Sequence, residues 1–321
     1  MQVFLISLFA VAVLLLTAVP GYLLIKRKLI GEDCIAGFSK VLIYVTQPCL
    51  VIYSFKTATF SLEKLREIGI FALLCIVVNG VMLLGSYLVL RKRCEDPIYR
   101  IMTIATTFGN CAFFGVPIIE ALFPEEASGL IVFTTVYAVV MNILGWTVGS
   151  AIISRNMKYV SVKKIFVNPA TIGAYIGLFL FVLEIPLVFT IPGTTTPFKI
   201  LSDMVTATAR MATPLSMLVM GMRLATMDLK ATFTNPKVYL TIAVKQFVMP
   251  LVALLVVLFL PIDPVIKRTF FIICACPVAS IVLNYAEIVG AGQKEGANMV
   301  LLGTMLSIVT LPIMSLLLGV F

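Results

Sequence analysis

The sequence contains no histidine, and only 12% of its 321 residues are charged. Without histidine the chain cannot build imidazole metal sites, and it has no histidine general base or proton relay. Soluble proteins have about a quarter of their residues charged, so this chain lacks an ordinary water-exposed surface. Dinucleotide and phosphate loops, the serine-hydrolase elbow and the zinc-protease helix motif are also missing. We therefore expect neither an enzyme nor a cofactor.

The seven cysteines do not form a recognisable framework. Only two of them lie close together, and their spacing matches neither a zinc motif nor a disulfide pattern. We expect small buried hydrophobic side chains at these positions. They are Cys34, Cys49, Cys75, Cys94, Cys111, Cys274 and Cys276.

Hydrophobic residues make up 61% of the chain, and the mean hydropathy is +1.11. This composition predicts an all-α polytopic membrane protein in the lipid bilayer, since 321 residues can hold about ten spans of roughly 20 residues with short loops. The apolar runs, and the polar and turn-forming residues that separate them, give ten candidate spans. They cover about 3–25, 34–55, 67–90, 98–123, 129–153, 168–187, 198–222, 237–260, 265–289 and 296–320.

The net charge of +9 resides mainly in the loops, so it does not indicate nucleic-acid binding. Loops after odd-numbered spans hold fifteen lysines and arginines, whereas loops after even-numbered spans hold six. By the positive-inside rule the odd loops are cytoplasmic. The sequence therefore predicts a multi-pass protein of the plasma or inner membrane with both termini outside.

Five spans followed by five spans would place the second half upside down relative to the first. We therefore predict two inverted repeats within one integral domain, residues 1–160 and 161–321. Weak sequence similarities between the two halves support this prediction. Gln47-Pro48 in span 2 corresponds to Thr213-Pro214 in span 7, and Pro117 in span 4 corresponds to Pro277 in span 9.

The stretch FGNCAFFGVPIIEALF, residues 108–123, predicts an interrupted helix. Pro117 lacks an N–H, while Gly109 and Gly115 leave helical dihedrals at little cost, so the break should lie between the two glycines. Freed backbone groups are tolerated in a membrane only where they are buried in protein or line a polar cavity. Matched breaks in two inverted halves indicate a transporter's binding site, although a proline kink that only packs is the alternative.

The segment GNCAFFGVPIIEALF resembles the fourth helix of the auxin efflux carrier family, and CPVASIVLNYAE resembles its ninth helix. The resemblance implies ten helices in two inverted five-helix repeats, a scaffold helix group, and helices 4 and 9 that are broken and cross at their prolines. It also implies transport of organic anions such as auxin or malate. The loop between spans 5 and 6 is short, as in the short forms. Ile281 stands where many relatives have asparagine.

Carried onto this chain, the resemblance implies a crossover built from Asn110, Pro117 and Pro277, with the Asn110 amide binding a substrate carboxylate. A helix that restarts after a break presents unpaired N–H groups and a positive dipole end, which independently favours an anion. Polar residues near the prolines of spans 2, 7 and 9 are further candidates for the rim of the binding site. The alternative is that they only form local hydrogen bonds within their own helices. They are Tyr44, Gln47, Thr213 and Asn284.

Charged residues within spans are candidates for ion coupling, because such charges are costly at mid-bilayer. Lys245 lies near the midplane of span 8 and could attract an anion or carry a proton, or it could form a structural ion pair. Arg210 and Asp203, seven residues apart on one face, could neutralise each other. Glu120 and Glu287 lie on spans 4 and 9 and could couple protons, or they could be solvated helix-end charges.

These observations predict a secondary transporter that moves a small organic anion, a carboxylate, by alternating access. Two alternatives stay open: a proton- or sodium-coupled symporter or exchanger on the same fold, and a transporter-like ligand sensor. A homodimer is compatible with the sequence.

The predicted topology can be tested by labelling single cysteines in a cysteine-free variant with a membrane-impermeant maleimide. Lys92→Cys and Lys163→Cys should be protected in intact cells because their loops are cytoplasmic, whereas Gln2→Cys and Phe321→Cys should react. Permeabilised cells, in which all four should react, are the control. Protection of both termini in intact cells would refute the orientation.

Overall fold

The computed structural model describes residues 1–155, 160, 162–190, 197–227, 233–290 and 292–321. We number its main helices in chain order, and each range includes any short π-helical or 3-10 part. They are α1 (Gln2–Lys26), α2 (Cys34–Thr57), α3 (Leu62–Arg93), α4a (Pro97–Ala105), α4b (Cys111–Leu122), α5 (Ala127–Ser154), α6 (Pro169–Val182), α7a (Ile200–Arg210), α7b (Ala212–Ala225), α8 (Pro236–Leu258), α9a (Pro264–Ala275), α9b (Ile281–Val289) and α10 (Gln293–Val320).

Six of these helices, α1, α2, α3, α5, α8 and α10, are long and apolar enough to cross a membrane by length and composition. A short helix, Val162–Val167, precedes α6. The only strands in the described residues are β1 (Phe189–Thr190) and β2 (Pro197–Phe198), which pair antiparallel between α6 and α7a. The protein is therefore a helical membrane protein with several spans, as the composition predicts.

Four helices begin at an Asp-Pro or Asn-Pro pair. In each pair the acidic or amide side chain accepts a hydrogen bond from the N–H two residues later, at 2.7 to 3.0 Å. The proline then occupies the first helical position, where its missing N–H is not needed. This cap fixes the start of α4a, α6, α8 and α9a. The pairs are Asp96-Pro97, Asn168-Pro169, Asn235-Pro236 and Asp263-Pro264.

Three π-helical turns each end two residues before a proline. They are Leu42–Thr46 before Pro48, Cys111–Gly115 before Pro117, and Val244–Val248 before Pro250. A proline inside a helix lacks an N–H and collides with the preceding turn. The wider π turn changes the local hydrogen-bond pattern, so the helix continues past the proline.

The helices form two groups. We call α1, α2, α6 and α7 the support group, because α1 packs most extensively against α7b, and α2 against α6 and α7a. We call α3, α4, α5, α8, α9 and α10 the crossover group. In this second group α3 packs on α5, α8 packs on α9a and α10, and α9b packs on α10.

Glycines bring the backbones of the support group into direct contact. A Cβ on Gly21 would collide with the carbonyl of Leu218, and a Cβ on Gly221 would collide with the carbonyl of Ala18. A Cβ on Gly173 would lie 2.8 Å from the carbonyl of Pro48. Small residues that let backbones approach are the usual basis of helix packing in lipid, where no hydrophobic effect drives association. The support group is therefore closely packed.

The crossover group is held by aromatic packing and buried polar bonds. Phe71 on α3 packs against Phe133 on α5 and Phe270 on α9a, with ring centroids 4.7 and 5.2 Å apart. Gln246 on α8 binds α10 twice, donating to the Gly303 carbonyl and accepting from Thr310, both at 2.6 Å. Satisfied polar groups of this kind fix the register of neighbouring helices in an apolar medium.

Replacing Gly21 with alanine should destabilise the protein, because the new methyl group has no room against the backbone of α7b. Overpacking of this kind costs about 1–3 kcal/mol. Gly80→Ala is the matched control, since Gly80 lies inside α3 with open space around it and alanine favours a helix by up to about 1 kcal/mol. Thermal melting of the purified variants in detergent measures the difference. Equal melting temperatures would contradict the close approach of α1 and α7b.

Candidate functional site

Two interrupted helices meet where each of them is unwound. Residues 106–110 separate α4a from α4b, and residues 276–280 separate α9a from α9b. The two stretches pair antiparallel at Gly109 and Val278. The N–H of Asn110 donates to the Pro277 carbonyl at 2.8 Å, and the N–H of Ala279 donates to the Phe108 carbonyl at 2.9 Å. Each stretch thus satisfies backbone groups that the other helix leaves unpaired.

The sequence-based prediction misplaced the first break. The expected interruption lay between Gly109 and Gly115, with a crossing at the prolines, but the unwound residues are 106–110, and Pro117 lies farther along, in α4b. The π turn that precedes Pro117 accommodates its missing N–H, so no break is needed there. Pro277 does lie in the crossing.

Gly109 is the residue that permits the close crossing. A Cβ at this position would lie 3.0 Å from the Lys245 Nζ and 3.4 Å from the Cys276 carbonyl oxygen. A larger residue would therefore have to displace the Lys245 ammonium.

The crossing places the N-terminal ends of α4b and α9b in the wall of one cavity. Its wall includes Asn110, Cys111 and Ala112 at the start of α4b, and Ser280 and Ile281 at the start of α9b. The first N–H groups of a helix have no partner within the helix and carry the positive end of its dipole. Two such ends converge on the same space, which favours a negatively charged group there.

The cavity has a volume of about 150 Å³ and lies between the two helix groups. The support group contributes α2, the start of α6 and α7b, and the crossover group contributes α4b, α5, α9b and α10. Most of the wall is apolar, and polar side chains are spaced along it. Those that bear on function are Ser39, Gln47, Asn110, Ser216, Arg223 and Ser280.

Two of the residues predicted for the site, Asn110 and Gln47, line this cavity. The backbone of Asn110 is fixed on both sides, because its N–H binds the Pro277 carbonyl and its own carbonyl accepts from Gly115 at 3.2 Å. Within the described residues, neither the Asn110 amide nor the Gln47 amide bonds to another protein group. Both amides are therefore available to a ligand.

Sequence reasoning missed Arg223, which it counted as a loop charge. Arg223 lies in the last turn of α7b and is the one charged side chain in the described wall of the cavity. Its guanidinium donates to the Ser39 hydroxyl at 3.4 Å. The spacing Ser216, Met220, Arg223 places all three on one face of the helix, and this pattern was the signal in the sequence.

Three other predicted residues lie outside the cavity. Tyr44 is 67% exposed on the outer surface of α2. Thr213 ties α7b to α4b, since its hydroxyl donates to the Phe113 carbonyl at 3.1 Å. Lys245 lies behind the crossing and donates to the Cys274 carbonyl at 2.6 Å. These residues contact the structure around the site but do not line the cavity.

The remaining charged candidates do not gather at the crossing. Asp203 and Arg210 are both exposed, and the expected ion pair between them is absent from the described residues. Arg210 lies instead within electrostatic range of Glu120, which is exposed near the end of α4b. Asn284 and Glu287 belong to α9b, but their side chains lie outside the described part of the chain.

Comparison with known families shows which family the chain belongs to. The family model of membrane transport proteins matches residues 6–315, nearly the whole chain. The chain belongs to the membrane transport protein family. This is the family of the auxin efflux carriers, so the resemblance seen in spans 4 and 9 is confirmed. The family is one of transporters. No protein of curated function matches the chain.

Gly109→Ala should weaken the crossing of this membrane transport protein, because the methyl group displaces the Lys245 ammonium from its carbonyl partner. We expect a loss of about 1–3 kcal/mol in stability, measured by thermal melting. Gly115→Ala is the matched control in the same segment, since the nearest atom to its Cβ would be the Cys276 sulfur at 3.4 Å. Equal effects of the two substitutions would contradict the assigned role of Gly109.

Proposed function

We propose that this member of the membrane transport protein family is a secondary transporter that binds a small organic anion, a carboxylate, in the cavity at the crossing and moves it by alternating access. One observation carries the proposal. The wall of the cavity contains two helix N-termini, Arg223, and an Asn110 amide that bonds to no other described protein group. No acidic side chain lies in the described wall.

The carboxylate would bind at the crossing through the Asn110 amide hydrogens and would be attracted by the positive dipole ends of α4b and α9b. Each helix end contributes roughly half a positive charge. Arg223 adds a full positive charge beside Ser39 on the opposite wall. A cation would meet only repulsion from these groups, and a neutral solute would gain little from them. The apolar remainder of the wall would contact the body of the ligand.

The architecture supports a two-sided carrier. We propose ten spans arranged as inverted repeats, residues 1–160 and 161–321. In the described part of the chain two helices unwind at a mutual crossing, and they are the fourth of each proposed half. The cavity lies between the support group and the crossover group. A movement of one group against the other would therefore open the cavity to each side of the membrane in turn.

The orientation predicted from the basic loops makes this conformation inward-open. Ser39 near the start of α2, Asn168 at the start of α6 and Arg223 at the end of α7b all line the cavity. These helix ends face the cytoplasm if both termini lie outside the cell membrane. Anions would then enter from the cytoplasm, past Arg223.

Export of an anion needs no coupling ion when the cell interior is negative. Moving one negative charge outward releases about 2.3 kcal/mol per 100 mV. We therefore propose a uniporter or a loosely proton-linked carrier. Obligatory sodium-coupled or proton-coupled transport, and ligand sensing without transport, are the alternatives that flux measurements separate.

Asn110→Ala should weaken carboxylate binding, because one or two hydrogen bonds to a charged partner are lost at about 1.5–3 kcal/mol each. Equilibrium binding of radiolabelled malate and indole-3-acetate to the purified protein measures the change. At least one of the two should bind the native protein, and its dissociation constant should rise about tenfold or more.

Tyr44→Phe is the control for this measurement, since Tyr44 lies on the outer surface and should not affect binding. Arg223→Gln should also weaken binding. The affinity of this variant should depend less on ionic strength than the affinity of the native protein, because a charge that attracts the anion has been removed. Unchanged affinity in a folded Asn110→Ala variant would reject the crossing as the anion site.

A further inference from the structure

Lys245 is a fully buried cation that makes no contact with the cavity. It lies in the π turn Val244–Val248 of α8, with 0% of its surface exposed. Its ammonium donates to the Cys274 carbonyl at 2.6 Å and lies directly behind Gly109. Lys245 therefore contacts both broken helices at the point where they cross.

No carboxylate neutralises Lys245 within the described residues. The ion pairs there join Lys64 to Glu67 and Lys237 to Asp96, and neither of them includes Lys245. A buried charge without a partner is strongly unfavourable. The acceptor that the ammonium does contact is the backbone carbonyl of Cys274, the next to last residue of α9a. The final carbonyls of a helix lack partners within it and carry the negative end of the dipole.

Unwound carbonyls and the C-terminal ends of half-helices are also the groups that hold sodium ions in transporters with broken helices. A lysine ammonium resembles such an ion, since it is a compact monovalent charge that interacts only with acceptors. Here the Lys245 side chain carries the ammonium from α8 to such a carbonyl, that of Cys274. Gln246 fixes the adjacent backbone by its two bonds to α10.

We propose that Lys245 is a tethered cation that takes the place of a coupling sodium ion at the crossing. It is a positioning residue, which holds the end of α9a against Gly109 and so keeps the two helix N-termini directed into the cavity. The proposal rests on the crossing being the transport site. It follows that the native protein needs no sodium, and that removing the ammonium creates a vacancy which a small cation can fill.

The test is the melting temperature of the purified full-length protein in detergent, titrated with sodium chloride against choline chloride at constant ionic strength. The native protein should melt at the same temperature in both salts. Lys245→Met should melt several degrees lower in choline chloride, and sodium chloride or methylammonium chloride should raise its melting temperature saturably. Lys245→Arg, which keeps the charge, should show no response to sodium.

Lys267→Met is the matched control. Lys267 also donates to a carbonyl at a helix end, that of Leu258 at 3.3 Å, but at an exposed site. Its loss should produce no vacancy and no sodium response. A saturable effect of sodium on the native protein would overturn the proposal even if Lys245→Met cannot be purified. A folded Lys245→Met variant that responds to sodium no more than Lys267→Met would also overturn it.

Malate and indole-3-acetate, added to the native protein in the same assay, separate this proposal from the proposed function. Failure of both anions to stabilise the native protein, with the sodium results as predicted, would count against anion transport alone. Stabilisation by an anion, together with a sodium requirement in the native protein, would count against the tethered cation alone.

Discussion

The structure depends on the antiparallel pairing of two unwound backbone stretches, residues 106–110 and 276–280, inside a helical membrane protein. Lipid offers no hydrogen bonds, so an interrupted helix is stable only if protein satisfies the groups that it frees. Here the two interruptions satisfy each other. As a result, the negative end of α9a faces Lys245, and the positive ends of α4b and α9b face the cavity.

The two helix groups differ in how they are held together. The support group is joined by direct backbone contact at glycines such as Gly21 and Gly221, which leaves little freedom for its helices to slide. The crossover group is joined by aromatic rings and buried amides around the crossing. The cavity lies where these two units meet, so a ligand there contacts both of them. In the proposed mechanism, a change in the relative position of the two groups would change the access to the cavity.

The sequence predicted an all-helical membrane protein with several spans, because a bilayer requires long apolar runs. It also predicted Asn110 at a break, since glycine, asparagine and proline together weaken a helix. The exact break was not predictable, because it is fixed by a partner stretch more than 160 residues away. Local signals cannot reveal such a pairing.

Charged residues were the least predictable part of the site. Arg223 was counted as a loop charge because it lies near a helix end, although its face of α7b turns towards the cavity. Lys245 was predicted to lie near the midplane of span 8, but the spacing of residues in a span does not show whether such a side chain meets a ligand or the backbone. In the structure it is fully buried, binds the Cys274 carbonyl and does not line the cavity. The seven-residue spacing of Asp203 and Arg210 predicted a shared face, and both side chains instead remain exposed.

The central claim is that the cavity at the crossing carries an organic anion across the membrane. Counterflow in proteoliposomes tests it most directly: vesicles loaded with unlabelled carboxylate are diluted into labelled carboxylate without any ion gradient. The account predicts a transient accumulation of label for malate or indole-3-acetate, and none for the uncharged amide of the same compound. Binding without counterflow, or equal counterflow of acid and amide, would contradict it.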